Sequence, residues 1–218
     1  TMQIRPTPFA LPAALSDVVE WVEGEARRKH IEVGVVVGAD VPIGVVADRT
    51  RVSQIVFNLV QNAVKFTDRG SVRISVERCG GSRPDGGAEL EIRVRDTGDG
   101  IPLELQKKVF EPFFHRSTSR ATPRAGSGLG LAIVKRLVEH MGGSVEILSS
   151  PGWGTEVKVR LIVGVANSME LKPGTVCGRG IFAMGKSLSR EALLSQWTNL
   201  GQESQTVIFD PELDWRAL

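Results

Sequence analysis

The chain has 218 residues, of which 41% are hydrophobic and 24% are charged, and its formal net charge is +2. This composition is typical of a globular chain with one full domain and some residues left over, and it excludes a wholly disordered chain. The near balance of charge gives no electrostatic case for a nucleic-acid partner, and no apolar stretch reaches the length of a membrane span. The two cysteines form no disulfide framework and the N-terminus lacks a signal-peptide pattern, so we expect a cytoplasmic chain.

The first third of the chain predicts two amphipathic helices with a strand between them. Apolar residues recur at helical spacing from Leu15 to Val22, and this helix ends at the basic run 27–29. The β-branched run 31–37 predicts a strand. Residues 48–66 carry one continuous apolar stripe and predict the second helix.

The middle of the chain predicts a hairpin, a polar stretch and a third helix. Alternating residues at 71–78 and 89–95 predict two strands, and no helix follows their Gly-rich loop, which favours a hairpin over a phosphate-binding loop. A polar stretch over 101–125 precedes a helix at 129–141, and two further strands flank the turn at 151–154. This mixture without a strict βαβ repeat favours an α+β sandwich over a doubly wound sheet.

The residues after Val163 have a different character. Residues 164–174 resemble a linker, and residues 175–218 predict a strand, a helix over 189–200 and a second strand. Such a segment is too short to bury a core of its own. We therefore expect one domain over 1–163 and a short βαβ-like segment over 175–218, which either packs on another part of the protein or begins a truncated domain.

One face of the second helix carries polar side chains suited to a ligand. Gln54, Asn58, Asn62 and Lys65 follow one another at steps of four, four and three, so they share that face. Asparagine is a mediocre helix former and exposed faces usually carry Glu and Lys. Two interpretations stay open at this point, a solvated face and amides that contact a ligand.

A carboxylate is expected to point inward at the end of a strand. Asp96 shares the parity of Leu90, Ile92 and Val94, and buried carboxylates need a hydrogen-bond donor from the protein or from a ligand. Gly98 and Gly100, which follow it, allow close approach of the backbone to a ligand. The alternative is an ordinary exposed turn.

Two glycine-rich segments resemble phosphate-binding loops. Gly126-Ser-Gly-Leu-Gly-Leu131 opens a helix, whose free N–H groups favour a phosphate, although such a turn is weak evidence when taken alone. The segment 180–187 matches the P-loop pattern letter for letter. Its four intervening residues, Ile, Phe, Ala and Met, predict a strand instead of a phosphate cradle, so we do not expect a working P-loop there.

Taken together, the segments before residue 164 resemble the catalytic ATP-binding domain of sensor histidine kinases, in the superfamily that includes Hsp90, gyrase B and MutL. Four boxes carry the resemblance in order and spacing: 51–67 with its two asparagines, Asp96-Thr-Gly-Asp-Gly-Ile-Pro102, Val109-Phe-Glu-Pro-Phe-Phe114, and 126–131. The resemblance covers about residues 9–163. It implies the Bergerat ATP-binding fold, which is a two-layer α/β sandwich with a mixed sheet and helices on one face.

The resemblance also implies roles for individual residues toward its cofactors, ATP and Mg²⁺. Asp96 would accept the adenine amino group, Asn62 would ligate Mg²⁺, and Asn58 would lie beside it. Phosphate oxygens would be held by Lys65 and by Arg116 of the polar stretch. The remaining contacts would come from a set of backbone and pocket positions: Gly98, Gly100, Gly126, Gly128, Leu129, Gly130 and Thr155.

The function implied is transfer of the γ-phosphate of ATP to a histidine on a separate helical dimerisation domain. Asn58 stands where ATPases of the superfamily carry a water-activating glutamate, which favours phosphoryl transfer over hydrolysis. His30, His115 and His140 lack the sequence neighbours of an acceptor histidine, so we expect the acceptor upstream of Thr1. Two alternatives stay open: a regulatory nucleotide-binding module without transfer, and a serine kinase of the anti-sigma type.

The tail resembles, weakly, the start of a response-regulator receiver domain, as in hybrid kinases. Met184-Gly185-Lys186 stands where receivers carry paired acidic residues for Mg²⁺, which implies a degenerate receiver. The expected partners are the dimerisation domain and a receiver domain or response regulator. No contact with nucleic acid or membrane is expected of this segment, and membrane anchorage of the parent protein stays open.

Overall fold

The computed structural model describes residues 3–38, 40–81, 83–114 and 127–166, together with the backbone of residues 180–184 and 206–209. Its helices are α1 (Leu11–Arg28), α2 (Arg49–Phe66) and α3 (Gly130–His140), with two 3-10 turns at Leu103–Leu105 and Lys108–Phe110. Its strands are β1 (Thr7–Ala10), β2 (Ile31–Val37), β3 (Gly44–Ala47), β4 (Gly70–Cys79), β5 (Ala88–Asp96), β6 (Ser144–Ser150), β7 (Gly154–Val165), β8 (Gly180–Met184) and β9 (Thr206–Phe209).

All of these strands join one sheet, and the sheet is mixed, as the family resemblance implies. The strand order is β1-β3-β7-β5-β4-β2-β8-β9, and β6 pairs with β7 beside the main path. The pairs β2–β4 and β8–β9 are parallel, and the other pairs are antiparallel. The long central pair β5–β7 runs in register from Ala88 opposite Val163 to Asp96 opposite Thr155.

The three helices cover one face of the sheet. Alternate residues of the central strands, such as Ile74 and Ile92, are fully buried in one core that also contains Val18, Val56 and Val138 of the helices. Residues of opposite parity on β4, β5 and β7 are mostly charged and lie on the other face. The two-layer sandwich with helices on one face is therefore confirmed.

Helices α1 and α2 lie side by side and point in the same direction. Asp17 accepts a hydrogen bond from Arg49 near the beginning of both helices, at 2.7 Å. Further along, the rings of Trp21 and Phe57 meet edge to face, with centroids 5.7 Å apart. Lys29, just after α1, reaches the end of α2. These contacts join α1 to α2 along most of its length.

The N-terminal end of α2 is capped by a residue that also holds the start of the chain. Asp48 accepts a hydrogen bond from Arg51 N–H through Oδ1 at 3.1 Å and one from Arg5 N–H through Oδ2 at 3.0 Å. The short strands β1 and β3 pair with each other and are not predicted by the sequence, since four-residue strands carry too little alternation to be recognised. The first helix begins at Leu11, earlier than its apolar spacing predicts, because Pro12 occupies its first turn.

The described part of the tail extends the same sheet. Strand β8 pairs antiparallel with β2, from Gly34 opposite Met184 to Val37 opposite Ile181, and β9 pairs parallel with β8. Residues 181–184 are therefore strand, as predicted, and not a loop that wraps a phosphate. The predicted helix at 189–200 and the residues Gly185, Lys186 and Ser187 lie outside the described part of the chain. Among the described residues, no helix is long and apolar enough to span a membrane.

A buried carboxylate joins three strands on the charged face of the sheet. Glu91 is only 3% exposed and accepts hydrogen bonds from Arg93 at 2.5 Å and from Arg160 at 2.7 Å. Burial alone would raise the pKa of Glu91, but the hydrogen bonds from Arg160 and Arg93 outweigh burial and lower it. The network continues from Arg93 to Glu77 at 3.0 Å.

We expect Glu91→Gln to lower the free energy of unfolding by about 1–3 kcal/mol at pH 7, because the charge and one of the two acceptor oxygens that bind Arg93 and Arg160 are lost. A lowered pKa stabilises the folded state above the pKa of the unfolded chain, and that stability is lost as the pH falls through the folded-state pKa. The gap between wild type and variant in urea unfolding should therefore shrink in acid. Glu146→Gln, on exposed β6, is the control, and an equal loss in both variants contradicts this account.

Candidate functional site

The polar face of α2 separates into two parts. Gln54, Asn58, Asn62 and Lys65 are all half-buried, which agrees with their shared face. The side chain of Gln54 bonds within its own helix, since its Oε1 accepts a hydrogen bond from Arg51 Nη1 at 3.0 Å. The two asparagines face the beginning of α3 instead.

The start of α3 lies directly against these asparagine side chains. A Cβ atom placed on Gly130 would be 3.2 Å from Nδ2 of Asn62 and 3.8 Å from Oδ1 of Asn58. A helix N-terminus carries free N–H groups and a partial positive charge, so it attracts anions. The fold therefore brings together two side-chain amides and an anion-attracting helix end that lie about 70 residues apart in the chain.

The glycine-rich segment before α3 is tied to the other end of the polar stretch. Phe113 N–H donates to the carbonyl of Gly128 at 3.0 Å, so residues 113 and 128 hold the two ends of the intervening stretch together. Gly128 has φ +67, and a Cβ atom there would collide with the backbone of Phe113, so only glycine fits. Leu129 precedes the first turn of α3 and its N–H donates to Ser127 Oγ at 3.3 Å. His115, Arg116 and Gly126 lie outside the described residues.

Asp96 is buried at the end of β5, as its parity predicts. It is 8% exposed, and its Oδ1 accepts hydrogen bonds from the N–H groups of Gly98 at 2.8 Å and Thr155 at 3.2 Å. Burial raises the pKa of Asp96, although these two N–H donors partly offset the effect. Its second oxygen, Oδ2, accepts no hydrogen bond from any residue that the structure describes, so it is available to a ligand.

Two polar residues that sequence reasoning missed support this carboxylate. Ser149 Oγ lies 2.9 Å from Thr155 Oγ1, and it accepts a hydrogen bond from Ile101 N–H at 2.7 Å. The buried side chain of Gln106 donates to the carbonyls of Ile101 at 3.0 Å and Ser149 at 2.7 Å. Nothing in the local sequence pattern marks either residue, since the bonds that join the two segments, from Ile101 N–H to Ser149 and from Gln106 to the Ser149 carbonyl, span 48 and 43 residues.

Lys29 is the third residue that sequence reasoning missed. Its Nζ donates to the carbonyls of Val64 at 2.8 Å, Lys65 at 2.9 Å and Thr67 at 3.2 Å. These carbonyls end α2, where intrahelical partners run out, and a cation there also complements the helix dipole. Lys29 therefore fixes the last turn of α2, which carries Lys65 and follows Asn62.

The glycines after Asp96 bring the turn close to its neighbours. A Cβ atom on Gly98 would collide with the carbonyl of Phe66 at the end of α2, and one on Gly100 would collide with that of Ser150. The first glycine segment thus lies between α2 and the turn that joins β6 and β7. Of the three histidines, His30 and His140 are exposed, as expected for surface residues.

The donor set suits a magnesium ion that is shared with a phosphate-bearing ligand. Within the described ranges, no group of three or more His, Cys, Asp or Glu side chains could hold a metal ion. Mg²⁺ is commonly bound through one or two protein oxygens together with substrate phosphates and waters. The amide oxygen of Asn62, beside the N-terminus of α3, fits that requirement.

Comparison with known proteins identifies the family. Residues 47–164 match the family described as "Histidine kinase-, DNA gyrase B-, and HSP90-like ATPase", and the chain belongs to this family. It is 37% identical over 148 residues to the signal transduction histidine-protein kinase BarA of Escherichia coli, which covers 68% of this chain and 16% of BarA. It is 40% identical over 163 residues to the virulence sensor protein BvgS of Bordetella bronchiseptica, covering 72% of this chain and 13% of BvgS. The chain thus spans under one fifth of the length of these relatives.

Solved structures show the same relationship. The full-length structure of ShkA in complex with AMPPNP is 30% identical with a TM-score of 0.64, over 77% of this chain and 33% of ShkA. The mycobacterial sensor histidine kinase MprB is 28% identical with a TM-score of 0.58, over 74% of this chain and 100% of that structure. These likenesses confirm the resemblance inferred from the four boxes.

We expect Asp96→Asn to raise the thermal midpoint of the nucleotide-free chain at neutral pH. A raised pKa in the folded state means that stability is lost as the pH rises through that pKa, and asparagine carries no charge to bury. The gain should shrink in acid, where the wild-type carboxyl is protonated. Asp85→Asn is the control, because the pKa of exposed Asp85 is lowered by its hydrogen bond from Arg83. A midpoint that falls in Asp96→Asn contradicts the account.

We expect Lys29→Met to lower the free energy of unfolding by about 1–3 kcal/mol, because three carbonyls at the end of α2 lose a charged donor. Urea unfolding measures this loss. Arg28→Met is the matched control, since among the described residues the Arg28 side chain bonds to the carbonyl of Gly24 in its own helix. Equal losses in the two variants would mean that Lys29 does not hold α2.

Proposed function

We propose that this chain binds Mg·ATP and donates the γ-phosphate to a histidine on a separate helical dimerisation domain, in two-component signal transduction. The observation that carries the proposal is the position of the Asn58 and Asn62 amides against the N-terminus of α3. Amide oxygens beside free helix N–H groups suit a phosphate chain and its cation. Family membership supports nucleotide binding, and the histidine kinase relatives support the transfer reaction.

The base of the nucleotide would bind at the end of β5. Oδ2 of Asp96, to which no described residue donates, would accept a hydrogen bond from the adenine amino group, and Thr155, opposite it on β7, would complete the pocket. Gly98 and Gly100 would let the backbone approach the nucleotide closely. Because Asp96 is buried, its hydrogen bond to the base would form with little competition from water.

The phosphates would bind between α2 and α3. Asn62 would hold Mg²⁺, which when bound supplies charge neutralisation for the phosphate oxygens. Lys65 would hold phosphate oxygens from the last turn of α2, and the N–H groups near Gly128, Leu129 and Gly130 would contact the phosphate chain. Arg116 and Gly126 remain predictions from the family resemblance.

Asn58 favours phosphoryl transfer over hydrolysis of ATP. An amide cannot remove a proton from water, so water bound near the γ-phosphate would not be activated. Phosphoryl transfer depends mainly on positioning and charge neutralisation, and an approaching imidazole is itself a sufficient nucleophile. ATP bound to the chain would therefore be hydrolysed slowly until an acceptor histidine docks.

The assembly around this domain is also proposed. We divide the chain into a catalytic domain at 1–163, a linker at 164–174 and a receiver-like segment at 175–218, as in a hybrid kinase. The parallel pair β8–β9 supports a βαβ arrangement of that segment. The phosphoacceptor helices and a receiver domain or response regulator would be the partners, and the reaction would take place in the cytoplasm.

The decisive assay supplies the acceptor as a second polypeptide. The chain, γ-labelled ATP and Mg²⁺ should give no labelled protein alone, and adding the parent protein's dimerisation domain should give acid-labile label on that domain. Asn62→Ala should abolish the label, because the metal ligand is lost. Lys186→Ala, in the P-loop-like segment, is the control and should leave the label unchanged.

Three results contradict the proposal. Acid-labile label on His30, His115 or His140 would place the acceptor in this chain. Acid-stable label on a serine of an added substrate would favour the anti-sigma type of kinase. Tight ATP binding without any transfer to the dimerisation domain would favour a regulatory module.

A further inference from the structure

The hydroxyl of Ser149 lies at the centre of a small hydrogen-bond cluster beneath the proposed base pocket. Among the described residues, three groups are within hydrogen-bond distance of its Oγ: the N–H of Ile101 at 2.7 Å, the carbonyl of Gly154 at 2.8 Å, and Oγ1 of Thr155 at 2.9 Å. A serine hydroxyl has one proton and two lone pairs, so it can satisfy three such partners in only one way.

The direction of each hydrogen bond follows from its partners. The N–H of Ile101 can only donate, so it occupies one lone pair of Ser149 Oγ. The carbonyl of Gly154 can only accept, so it takes the single proton of Ser149. Thr155 must then donate its own proton to the second lone pair of Ser149. The Thr155 hydroxyl is left with lone pairs alone, and it can act toward a ligand only as an acceptor.

This acceptor lies beside a second one. Thr155 and Asp96 are directly opposite each other on β7 and β5, and side chains at opposite positions of paired strands are immediate neighbours. The N–H of Thr155 donates to Oδ1 of Asp96 at 3.2 Å, which links the two residues. Oδ2 of Asp96 has no donor among the described residues. The end of the β5–β7 pair therefore presents two neighbouring acceptors.

We infer that Ser149 is a positioning residue that determines base specificity by fixing Thr155 as an acceptor. The inference rests on the proposed function, in which a nucleotide base binds against Asp96. A base with an exocyclic amino group, such as adenine, supplies two N–H donors to the paired acceptors. A base with a carbonyl at that position, such as guanine, places a third acceptor against them and leaves buried lone pairs unsatisfied.

Gln106 makes this arrangement independent of the ligand. Its Nε2 donates to the backbone carbonyls of both Ser149 and Ile101, so the Ser149 hydroxyl and the N–H group that donates to it are held together. Gln106 is itself buried, with 9% of its surface exposed. The Thr155 hydroxyl is thus fixed as an acceptor before any base enters the pocket.

The test compares the dissociation constants of MgATP and MgGTP by isothermal titration calorimetry. In Ser149→Ala, the Thr155 proton loses its acceptor and is free to turn toward the ligand. The ratio Kd(GTP)/Kd(ATP) should then fall about fivefold or more, since one hydrogen bond changes from mismatched to matched for guanine. Ser149→Thr keeps the hydroxyl and should keep the ratio. Ser144→Ala, at an exposed position of the same strand, is the control.

The outcomes separate the proposed function from the inference about Ser149. A wild-type chain that binds neither nucleotide contradicts the proposed function itself. A wild-type chain that prefers ATP, with the same preference in Ser149→Ala, overturns the inference and leaves the proposed function standing. If Ser149→Ala does not fold, Thr155→Val gives a second test, since removing the acceptor should lower the ratio to a similar extent. An unchanged ratio in Thr155→Val likewise overturns the inference.

Discussion

The candidate site depends on a carboxylate that is buried where a central strand ends. Asp96 terminates β5 with its side chain on the helix-covered face, and among the described residues its donors, the N–H groups of Gly98 and Thr155, both bond to Oδ1. Burying such a group costs stability, and the raised pKa of Asp96 reflects this cost. A ligand that donates to the second oxygen, Oδ2, would offset this cost, since no described residue donates to that oxygen.

The second half of the site depends on how α2 is held. Its asparagines are useful only if they face the N-terminus of α3, and the last turn of α2 is fixed from outside by the ammonium group of Lys29. The end of α2 also meets the first glycine turn, because Asp99 N–H donates to the carbonyl of Phe66 at 3.4 Å. The segment proposed to bind the base and the helix proposed to bind the phosphates are therefore joined directly by a backbone hydrogen bond.

Much of this site could be predicted from the sequence, because its principal residues follow local periodicities. Strand alternation predicted that Asp96 points inward, and helical spacing predicted that Asn58 and Asn62 share a face. The supporting residues could not be predicted in this way. Lys29 bonds to carbonyls 35 to 38 residues away, and Ser149 accepts from an N–H group 48 residues away. Such contacts arise only when the sheet order is known, as do the short strands β1 and β3.

The central claim is that a nucleotide binds between α2, the N-terminus of α3 and the end of β5. The most direct measurement is a titration of the isotopically labelled chain with MgADP, followed by NMR of its backbone and side-chain amides. The account predicts the largest shifts at the N–H groups of Gly98, Gly130 and Thr155 and at the side-chain amides of Asn58 and Asn62. Shifts confined to the P-loop-like segment 180–187, with those five amides unmoved, would contradict it.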